Sequence, residues 1–437
     1  MQNGWENVRD FGIIGDGATN QTGPLNAVLR KMAAAGGGTL YFPPGRYVTG
    51  TLNLYSHCTI WLEGGATLLG SENPGDFPLI GEESFPGWGP DSHAAMIFSH
   101  HATGVAVRGR GTIDGRGYNW WHKADESRPK LVEFICCDDV LVEDVTLTNS
   151  PMWTLHPLRS SNVEIRGVTI RNPADSPNTD GVNPESCQNV RVSGCLIDVG
   201  DDCVTLKLGR QDQPFHNAAP CENIAVVNCT MRNGHGGVVI GSEMTGGVRN
   251  VVISNCIFSG TDRGIRIKTR RLRGGFVENI RVSNIIMEQV WCPLVINCYY
   301  RCGTSGADLP VASNPGLEPV TKATPAIRRI SLSHVLVTGA QSSACRVRGL
   351  PEQPVEDLSL SDVTIRMEDG AKARIPVMDY WESPVSGEGV RMQHVRGLSL
   401  RNVTVLGAKA PALLLTDVSG QTVRDFDAGE GWGIQQV

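Results

Sequence analysis

The feature that most constrains this chain is a short repeat that recurs ten times from Gly104 onward. Each copy alternates apolar and polar residues, breaks at Asn, Ser or Gly, and runs into a second apolar stretch, as in NVEIRGVTIRNP from Asn162. Alternation with a period of two is typical of a half-buried strand. The equivalent residues Val140, Val163 and Val190 lie 23 and 27 positions apart along the chain.

A repeat of this length cannot bury its own apolar face, so the copies must stack on one another. No helical period separates the two strands of a copy, which disfavours βαβ units and leucine-rich repeats. The repeats therefore predict an all-β fold, a parallel β-helix with about 25–30 residues per coil. The corner residues Asn162, Asn189, Asn223, Asn250 and Asn279 are interpreted as structural turn formers.

The first 50 residues differ from the repeats. An amphipathic pattern from about Pro24 to Ala35 predicts a helix that ends at a run of three glycines, Gly36 to Gly38. A solenoid needs such a cap over its open apolar end.

We expect one domain, residues 1–437, with the cap at about 1–50 and the β-helix coils at about 51–437. Two segments, residues 71–101 and 302–325, are expected to be long loops, and loops of that length are more often functional than idle.

Composition excludes several classes of partner. Aromatic residues are only 6% of the chain and the formal net charge is −6, so we expect no nucleic-acid partner. No run of about 20 apolar residues occurs, so we expect no membrane span. The oligomeric state is not predicted.

The cysteines and the N-terminal residues indicate in which cellular compartment the protein is expected. Cys195, Cys229 and Cys256 occupy equivalent repeat positions, which indicates buried thiols and not a disulfide framework. A bridge between Cys203 and Cys221 stays open as an alternative. The start MQNGWENVRDFG lacks the basic and apolar runs of a signal peptide. A cytoplasmic location is therefore expected, with secretion as the alternative if a signal peptide has been removed.

Four short polar clusters lie about one repeat apart. They are NTDG at residues 178–181, GDD at 200–202, GHG at 234–236 and RIK at 266–268. Asp180 and Asp201 are 21 residues apart, and the steps from Asp202 to His235 and from His235 to Lys268 are 33 each. Each cluster by itself is compatible with an ordinary turn or loop, but all four at this spacing favour one functional face.

Three aspartates on one face suit glycoside hydrolysis. One carboxylic acid protonates the leaving oxygen, and another carboxylate activates water or attacks the sugar. Carboxylates that are close together repel, so at least one pKa in the group is expected to rise. His235 could hold or relay a proton. Because Ile265 and Ile267 should point inward, Arg266 and Lys268 are expected to point outward and to bind an anionic sugar.

At these residues the sequence resembles the polygalacturonases, the pectin-degrading family 28 of glycoside hydrolases, which carry the same four clusters in the same order. GTIDGRGYNWW from Gly111 and GSEMTGGV from Gly241 extend the resemblance. It implies a right-handed single-stranded parallel β-helix and hydrolysis of α-1,4-D-galacturonosyl linkages with inversion. It implies a galacturonate-containing oligo- or polysaccharide as partner, and neither a metal nor a cofactor.

The resemblance also assigns roles. Asp201 corresponds to the general acid, and Asp180 and Asp202 to the pair that activates water. His235 corresponds to the residue that hydrogen-bonds the acid and sets its protonation.

The same resemblance assigns the binding residues. Arg266 and Lys268 correspond to the residues that bind the galacturonate carboxylate. Asn178 is expected to contact the substrate, and Tyr299 or Tyr300 to flank the sugar.

The mode of action is expected to be exo, with galacturonic acid released from the non-reducing end. The two long loops could close one end of a cleft. RGIRIKTRRLR from Arg263 carries cations beyond those one carboxylate needs, and the extra cations could bind the carboxylate of the terminal sugar. Three other enzyme activities stay open: an endo-polygalacturonase, a hydrolase of rhamnogalacturonan or xylogalacturonan, and a calcium-dependent pectate lyase. A non-catalytic adhesive β-helix is the alternative from another class.

Overall fold

A computed structural model describes residues 4–80, 92–122, 127–209, 219–304, 306–429 and 433–436. The chain divides into two compact units, Met1–Asp202 (unit 1) and Cys203–Val437 (unit 2). The prediction that they form one domain stays a prediction. Among the described residues, neither α-helix is long and apolar enough to cross a membrane.

Unit 1 holds the helix α1, Thr22–Ala34, and three short 3-10 turns at Val8–Phe11, Pro74–Asp76 and Gly117–Asn119. Its strands are β1 Trp5–Asn7, β2 Asp16–Asn20, β3 Gly38–Phe42, β4 Gly45–Thr49, β5 Leu52–Asn53, β6 Cys58–Leu62, β7 Ala66–Gly70, β8 Leu79–Ile80, β9 Ser92–His93, β10 Ile97–His100, β11 Thr103–Gly109, β12 Thr112–Asp114, β13 Val132–Ile135, β14 Asp138–Glu143, β15 Thr146–Thr148, β16 Leu155–Leu158, β17 Ser161–Arg166, β18 Thr169–Arg171, β19 Gln188–Ser193 and β20 Leu196–Val199.

Unit 2 holds one short helix, α2, Leu309–Ala312. Its strands are β21 Val204–Leu208, β22 Cys221–Val227, β23 Thr230–Asn233, β24 Val238–Met244, β25 Val248–Ser259, β26 Arg263–Lys268, β27 Phe276–Glu288, β28 Cys292–Asn297, β29 Ala326–Ala340, β30 Ser343–Arg348, β31 Val355–Met367, β32 Glu388–Leu406, β33 Lys409–Ser419, β34 Thr422–Asp427 and β35 Ile434–Gln436.

The predicted N-terminal helix is present, and it begins two residues earlier than expected. It buries Leu25, Val28, Leu29 and Met32, which recur at the three- and four-residue spacing of one helix face. This face packs against β3, β5 and β6, the first strands of unit 1.

Stacked apolar residues form the core of unit 1. Strands β6, β11, β14, β17 and β19 pair in parallel, which aligns Ile60, Val107, Val142, Ile165 and Val192 in one ladder. All five side chains are fully buried. Each contributes roughly 1.5–3 kcal/mol of hydrophobic free energy, which is how a repeat too short to fold alone becomes stable.

Unit 2 is built in the same way. Strands β21, β24, β26, β28 and β30 align Leu206, Ile240, Ile267, Ile296 and Val347 in a parallel ladder. These side chains are buried, so the residues that alternate with them occupy the other face of the same strands.

The corner asparagines are turn formers, as predicted. Asn162, Asn189, Asn223, Asn250 and Asn279 all have φ between 53° and 60°. Asparagine tolerates this left-handed conformation better than most residues. Within each unit the side chains also bond from coil to coil, as in the 3.0 Å bond from Asn279 to Asn250.

The thirteen cysteines, all among the described residues, are present as thiols, so the bridge between Cys203 and Cys221 is not formed. Cys195, Cys229 and Cys256 are buried in the core, as predicted.

The two expected loops are in part structured. The 71–101 segment contains the antiparallel pair β8–β9 and the strand β10, although residues 81–91 lie outside the described residues. The 302–325 segment contains α2. The 71–101 segment therefore has more regular structure than a long loop, whereas the described residues of the 302–325 segment outside α2 are irregular.

Candidate active site

Unit 1 brings the three predicted aspartates together. Asp180, Asp201 and Asp202 each offer one carboxylate oxygen, and these oxygens lie within 4.8 Å of one another. Asp180 and Asp202 are buried, whereas Asp201 is half-buried. Backbone bonds place the two buried residues, because the Thr154 amide donates to the Asp180 carbonyl at 2.9 Å and the Gly181 amide donates to the Asp202 carbonyl at 3.0 Å.

Local hydrogen bonds orient the carboxylates. The Asn183 side-chain amide donates to Asp180 Oδ2 at 3.0 Å, and the Asp202 backbone amide donates to Asp201 Oδ1 at 2.9 Å. Gly200, immediately before Asp201 and Asp202, is required for a steric reason. A Cβ atom at this position would lie only 2.4 Å from the Ser176 carbonyl oxygen.

Three carboxylates at this distance can carry out acid–base chemistry. One carboxyl group can donate a proton while another activates a water molecule. Oxygens this close could equally hold a divalent cation. The resemblance assigns them to acid–base chemistry.

Arg128 is a residue of this region that the sequence did not single out. Its guanidinium donates to Asn178 Oδ1 at 2.6 Å and to the Pro177 carbonyl at 2.7 Å. Asn178 is exposed and has a φ of 54°, so Arg128 holds a left-handed turn two residues before Asp180. The sequence carried no signal for this contact, because the partners are 50 positions apart.

In unit 2, His235 has a partner that the sequence also missed. Its Nδ1 lies 2.8 Å from Asp262 Oδ2, and Arg263 Nη1 lies 3.1 Å from the same oxygen. Arg263 is buried and donates to the carbonyls of Ile375 at 2.6 Å and Pro376 at 3.1 Å. Asp262 thus fixes the His235 tautomer with the proton on Nδ1.

Arg266 and Lys268 alternate with the buried Ile265 and Ile267, as predicted, but they do not reach open solvent. Both cations lie against the Tyr300 ring, at 5.8 Å for the Arg266 guanidinium and 5.5 Å for Lys268 Nζ. Neighbouring segments therefore cover the face of β26 on which these two cations lie.

The two candidate tyrosines differ. Tyr300 contacts the Arg266–Lys268 pair, whereas Tyr299 packs against Trp381, with ring centroids 5.1 Å apart. Burial raises the pKa of Tyr299 to about 12. Tyr300 is therefore the tyrosine that accompanies the predicted binding residues.

The other cations of RGIRIKTRRLR serve the fold. All five N–H groups of Arg271 are used: two bind Glu352, at 2.6 and 2.8 Å, and three bind backbone carbonyls of residues 311–316. Arg270 pairs with Asp308 at 3.2 Å. The hypothesis that these extra cations bind a sugar carboxylate is wrong for Arg271, because its donors are already satisfied within the protein.

Glu243 is a further residue that the sequence did not identify. It lies beside Lys207, with Nζ and Oε2 3.8 Å apart. Burial alone would raise its pKa, but Lys207, Arg273 and Lys268 lower the pKa to about 2. The cation group of unit 2 therefore contains an ionised carboxylate.

Comparison with known proteins identifies the family. Residues 77–379 match the glycosyl hydrolases family 28, and residues 5–72 match the rhamnogalacturonase A/epimerase, pectate lyase-like family. The chain belongs to glycosyl hydrolase family 28. The first of these matches contains all four clusters, so the prediction of a family 28 glycoside hydrolase is confirmed.

Individual relatives agree with this assignment. A probable polygalacturonase of Vitis vinifera is 35% identical, over 83% of this chain and 74% of its own length. The exopolygalacturonase of Thermotoga maritima has a TM-score of 0.76 at 27% identity, with 92% and 91% of the two chains covered. The family 28 exopolygalacturonase of Yersinia enterocolitica matches in fold, with a TM-score of 0.75 at 21% identity over 99% of this chain and 79% of its own. The predicted right-handed parallel β-helix is confirmed.

Proposed function

We propose that this family 28 hydrolase cleaves α-1,4-D-galacturonosyl linkages in polygalacturonate and oligogalacturonides. The observation that carries the proposal is the aspartate group of unit 1, whose oxygens lie within 4.8 Å of one another. Hydrolysis of a glycoside needs one carboxyl group that gives a proton and another that activates water, and this group supplies both.

Exposure supports the assignment of roles within the group. Asp201 is the half-buried member, so it is the one suited to reach the leaving oxygen of a bound sugar. Asp180 and Asp202 are buried and are assigned to the attacking water. Asp180 is also fixed by Asn183, which suits a base that must hold a water molecule in one place.

The stereochemical outcome needs its own test. The resemblance implies inversion, but inverting pairs are usually about 6.5–9.5 Å apart and retaining pairs about 5–5.5 Å. The 4.8 Å limit here joins single oxygens and not whole carboxyl groups, so it selects neither outcome. We assign inversion, because three carboxylates allow two to hold one water. Proton NMR during the first minutes of hydrolysis should show the β-anomer released first, and the α-anomer first would establish retention.

Binding of the negatively charged substrate is assigned to residues of unit 2. Arg266 and Lys268 are cations on the functional face of β26, and both lie against Tyr300. A galacturonate carboxylate would accept charge-assisted hydrogen bonds from them. This charge favours a galacturonate over the neutral rhamnose of rhamnogalacturonan.

The exo mode and the cytoplasmic location are parts of the same proposal. The exopolygalacturonase of Thermotoga maritima aligns with nearly the whole chain, which favours exo action. In unit 2, Arg271 holds the backbone of the 302–325 segment in place, and we assign to this segment the role of limiting the length of bound sugar. Thirteen thiols favour a reducing compartment, where short oligomers are the available substrate.

The decisive experiment is a product profile on polygalacturonate and on defined oligogalacturonides. We expect galacturonic acid as the first product and little early fall in viscosity. Dimers to hexamers with a rapid fall in viscosity would establish endo action. Hydrolysis of rhamnogalacturonan or xylogalacturonan alone would replace the substrate, and products with an unsaturated bond would establish a lyase. No release of reducing ends from any pectin would contradict the proposal.

A further inference from the structure

A buried group of charged side chains lies on and beside strands β13 and β16 of unit 1, next to the segment that carries Asp180. His156, on β16, is fully buried between two carboxylates: Nδ1 lies 2.8 Å from Glu133 Oε1, and Nε2 lies 3.1 Å from Glu185 Oε2. Lys130 Nζ lies 2.8 Å from the same Glu133 oxygen. The side chains of Lys130 and Glu185 are only 5% and 7% exposed.

The contacts of His156 require two protons. A carboxylate oxygen only accepts hydrogen bonds, so each nitrogen–oxygen pair must contain a proton. Burial alone would raise the pKa of Glu133, but Lys130 and His156 outweigh it and lower that pKa. His156 therefore hydrogen-bonds to Glu133 through one ring nitrogen and to Glu185 through the other. These bonds link the side chains of three neighbouring coils.

The fold does not require charges at this position. Strand β10 pairs with β13 so that Phe98 lies opposite Glu133, and Phe98 is an apolar residue on the preceding coil. Apolar residues of similar volume are often as stable as a buried ion group, or more so. A role beyond packing is therefore indicated.

The segment that carries Asp180 lies beside β16 and is irregular in conformation. Between Asp180 and Glu185 the chain forms no regular strand, although it bridges β16 at Leu155–Val182 and Leu158–Glu185 and exchanges backbone hydrogen bonds with residues 154–159. His156 lies between these two bridges on β16. Its bond to Glu185 adds a side-chain tie at the end of the segment opposite Asp180.

Asn183 connects the two ends. Its amide nitrogen donates to the Leu155 carbonyl at 2.8 Å, and its side chain donates to Asp180 Oδ2 at 3.0 Å. The position of the Asp180 carboxylate therefore depends on where residues 183–185 lie. A displacement of about 1 Å at a reacting group can cost up to about 100-fold in rate.

We propose that Glu133, His156 and Glu185 form a positioning array that fixes the Asp180 carboxylate through Asn183. The inference rests on the proposed function, in which Asp180 activates water. The array touches no substrate. It acts by holding Asn183 and Asp180 in register with β16.

The first test is the substitution His156→Gln. Glutamine cannot bond both carboxylates as the imidazole ring does, so we expect kcat on polygalacturonate to fall about 10–100-fold with KM within twofold. Phe98→Leu, which alters the same sheet position on another coil, is the matched control and should leave kcat unchanged. A fall in kcat together with a rise in KM in both variants would indicate general damage and overturn the inference.

A second variant separates positioning from stability. All four charged residues of the group are replaced with apolar residues: Lys130→Met, Glu133→Leu, His156→Phe and Glu185→Leu. We expect this variant to unfold at a temperature similar to or above that of the wild type, because no buried charge is left unpaired. It should still have the reduced kcat. Wild-type kcat in this folded variant would overturn the inference.

A double-mutant cycle tests the route through Asn183. If the array acts through this residue, Asn183→Ala should lower kcat to a similar extent, and adding His156→Gln should lower it little further. Additive losses would overturn the route. Crystal structures of the wild type and His156→Gln should differ at the Asp180 carboxylate. This comparison of structures does not depend on enzyme activity. If the wild type fails to hydrolyse galacturonan, only the proposed function is contradicted.

Discussion

The two units gather opposite charges. In unit 1, three carboxylates approach within 4.8 Å, an arrangement that opposes folding and is useful for proton transfer. In unit 2, the strand β26 and the residues after it bury several cations, and most of these are tied to backbone carbonyls or acids. Like charges that the fold brings together from distant positions therefore indicate chemistry, whereas a run of like charges along the sequence often stabilises the fold.

The largest expected effect tests the unit 1 side of this comparison. Asp201→Asn and Asp180→Asn should each lower kcat by about 10²–10⁴-fold, because each removes a proton donor or a water activator. Circular dichroism should show an unchanged fold. The control is Asp139→Asn, an exposed carboxylate at a left-handed turn that asparagine accepts. Either active-site variant that keeps a tenth of wild-type activity would contradict its assigned role.

The second effect tests whether the buried cations of unit 2 serve the fold. Arg271→Met should lower the free energy of unfolding by about 3–5 kcal/mol, because it leaves Glu352 buried without its cation. Adding Glu352→Leu should recover part of the loss. Denaturant unfolding measures both variants. If Arg271→Met keeps wild-type stability and loses substrate binding instead, Arg271 belongs with the binding residues.

The third effect concerns the cations assigned to substrate. Arg266→Ala and Lys268→Ala should each raise KM about 10–100-fold on unesterified oligogalacturonides, because a charge-assisted hydrogen bond is lost. The rise should be smaller on methyl-esterified substrate. Arg232→Ala, at an exposed arginine of the same unit, is the control. Equal losses on both substrates would contradict carboxylate binding.

Sequence alone predicted what depends on regular spacing. The coil strands, the corner asparagines and the spacing of the four clusters follow from alternation or from the length of one repeat, and α1 follows from the three- and four-residue spacing of its apolar side chains. The aspartates could be grouped in this way because Asp180 and Asp201 are about one coil apart.

Sequence could not predict contacts made by irregular segments. Arg263 bonds to the Ile375 carbonyl across 112 positions, and Arg271 bonds to Glu352 across 81. No period links such partners. This is why the cations that hold segments together were not separated from Arg266 and Lys268, and why the partners Asp262 and Arg128 were missed.

The smallest effect expected is a pH dependence at Glu243. Its folded pKa is about 2 against an ordinary 4.5, so its ionised form stabilises the protein fully above pH about 4.5 and progressively less as the pH falls toward 2. Glu243→Gln should therefore unfold more easily than wild type near neutral pH, by about 1 kcal/mol, since a side chain that is 31% exposed is partly screened by solvent. The gap between the two proteins should narrow as the pH falls from 5 toward about 2. Denaturant unfolding at several pH values in this range measures the gap. A gap that stays constant over this range would show that Lys207, Lys268 and Arg273 do not hold Glu243 in its ionised form.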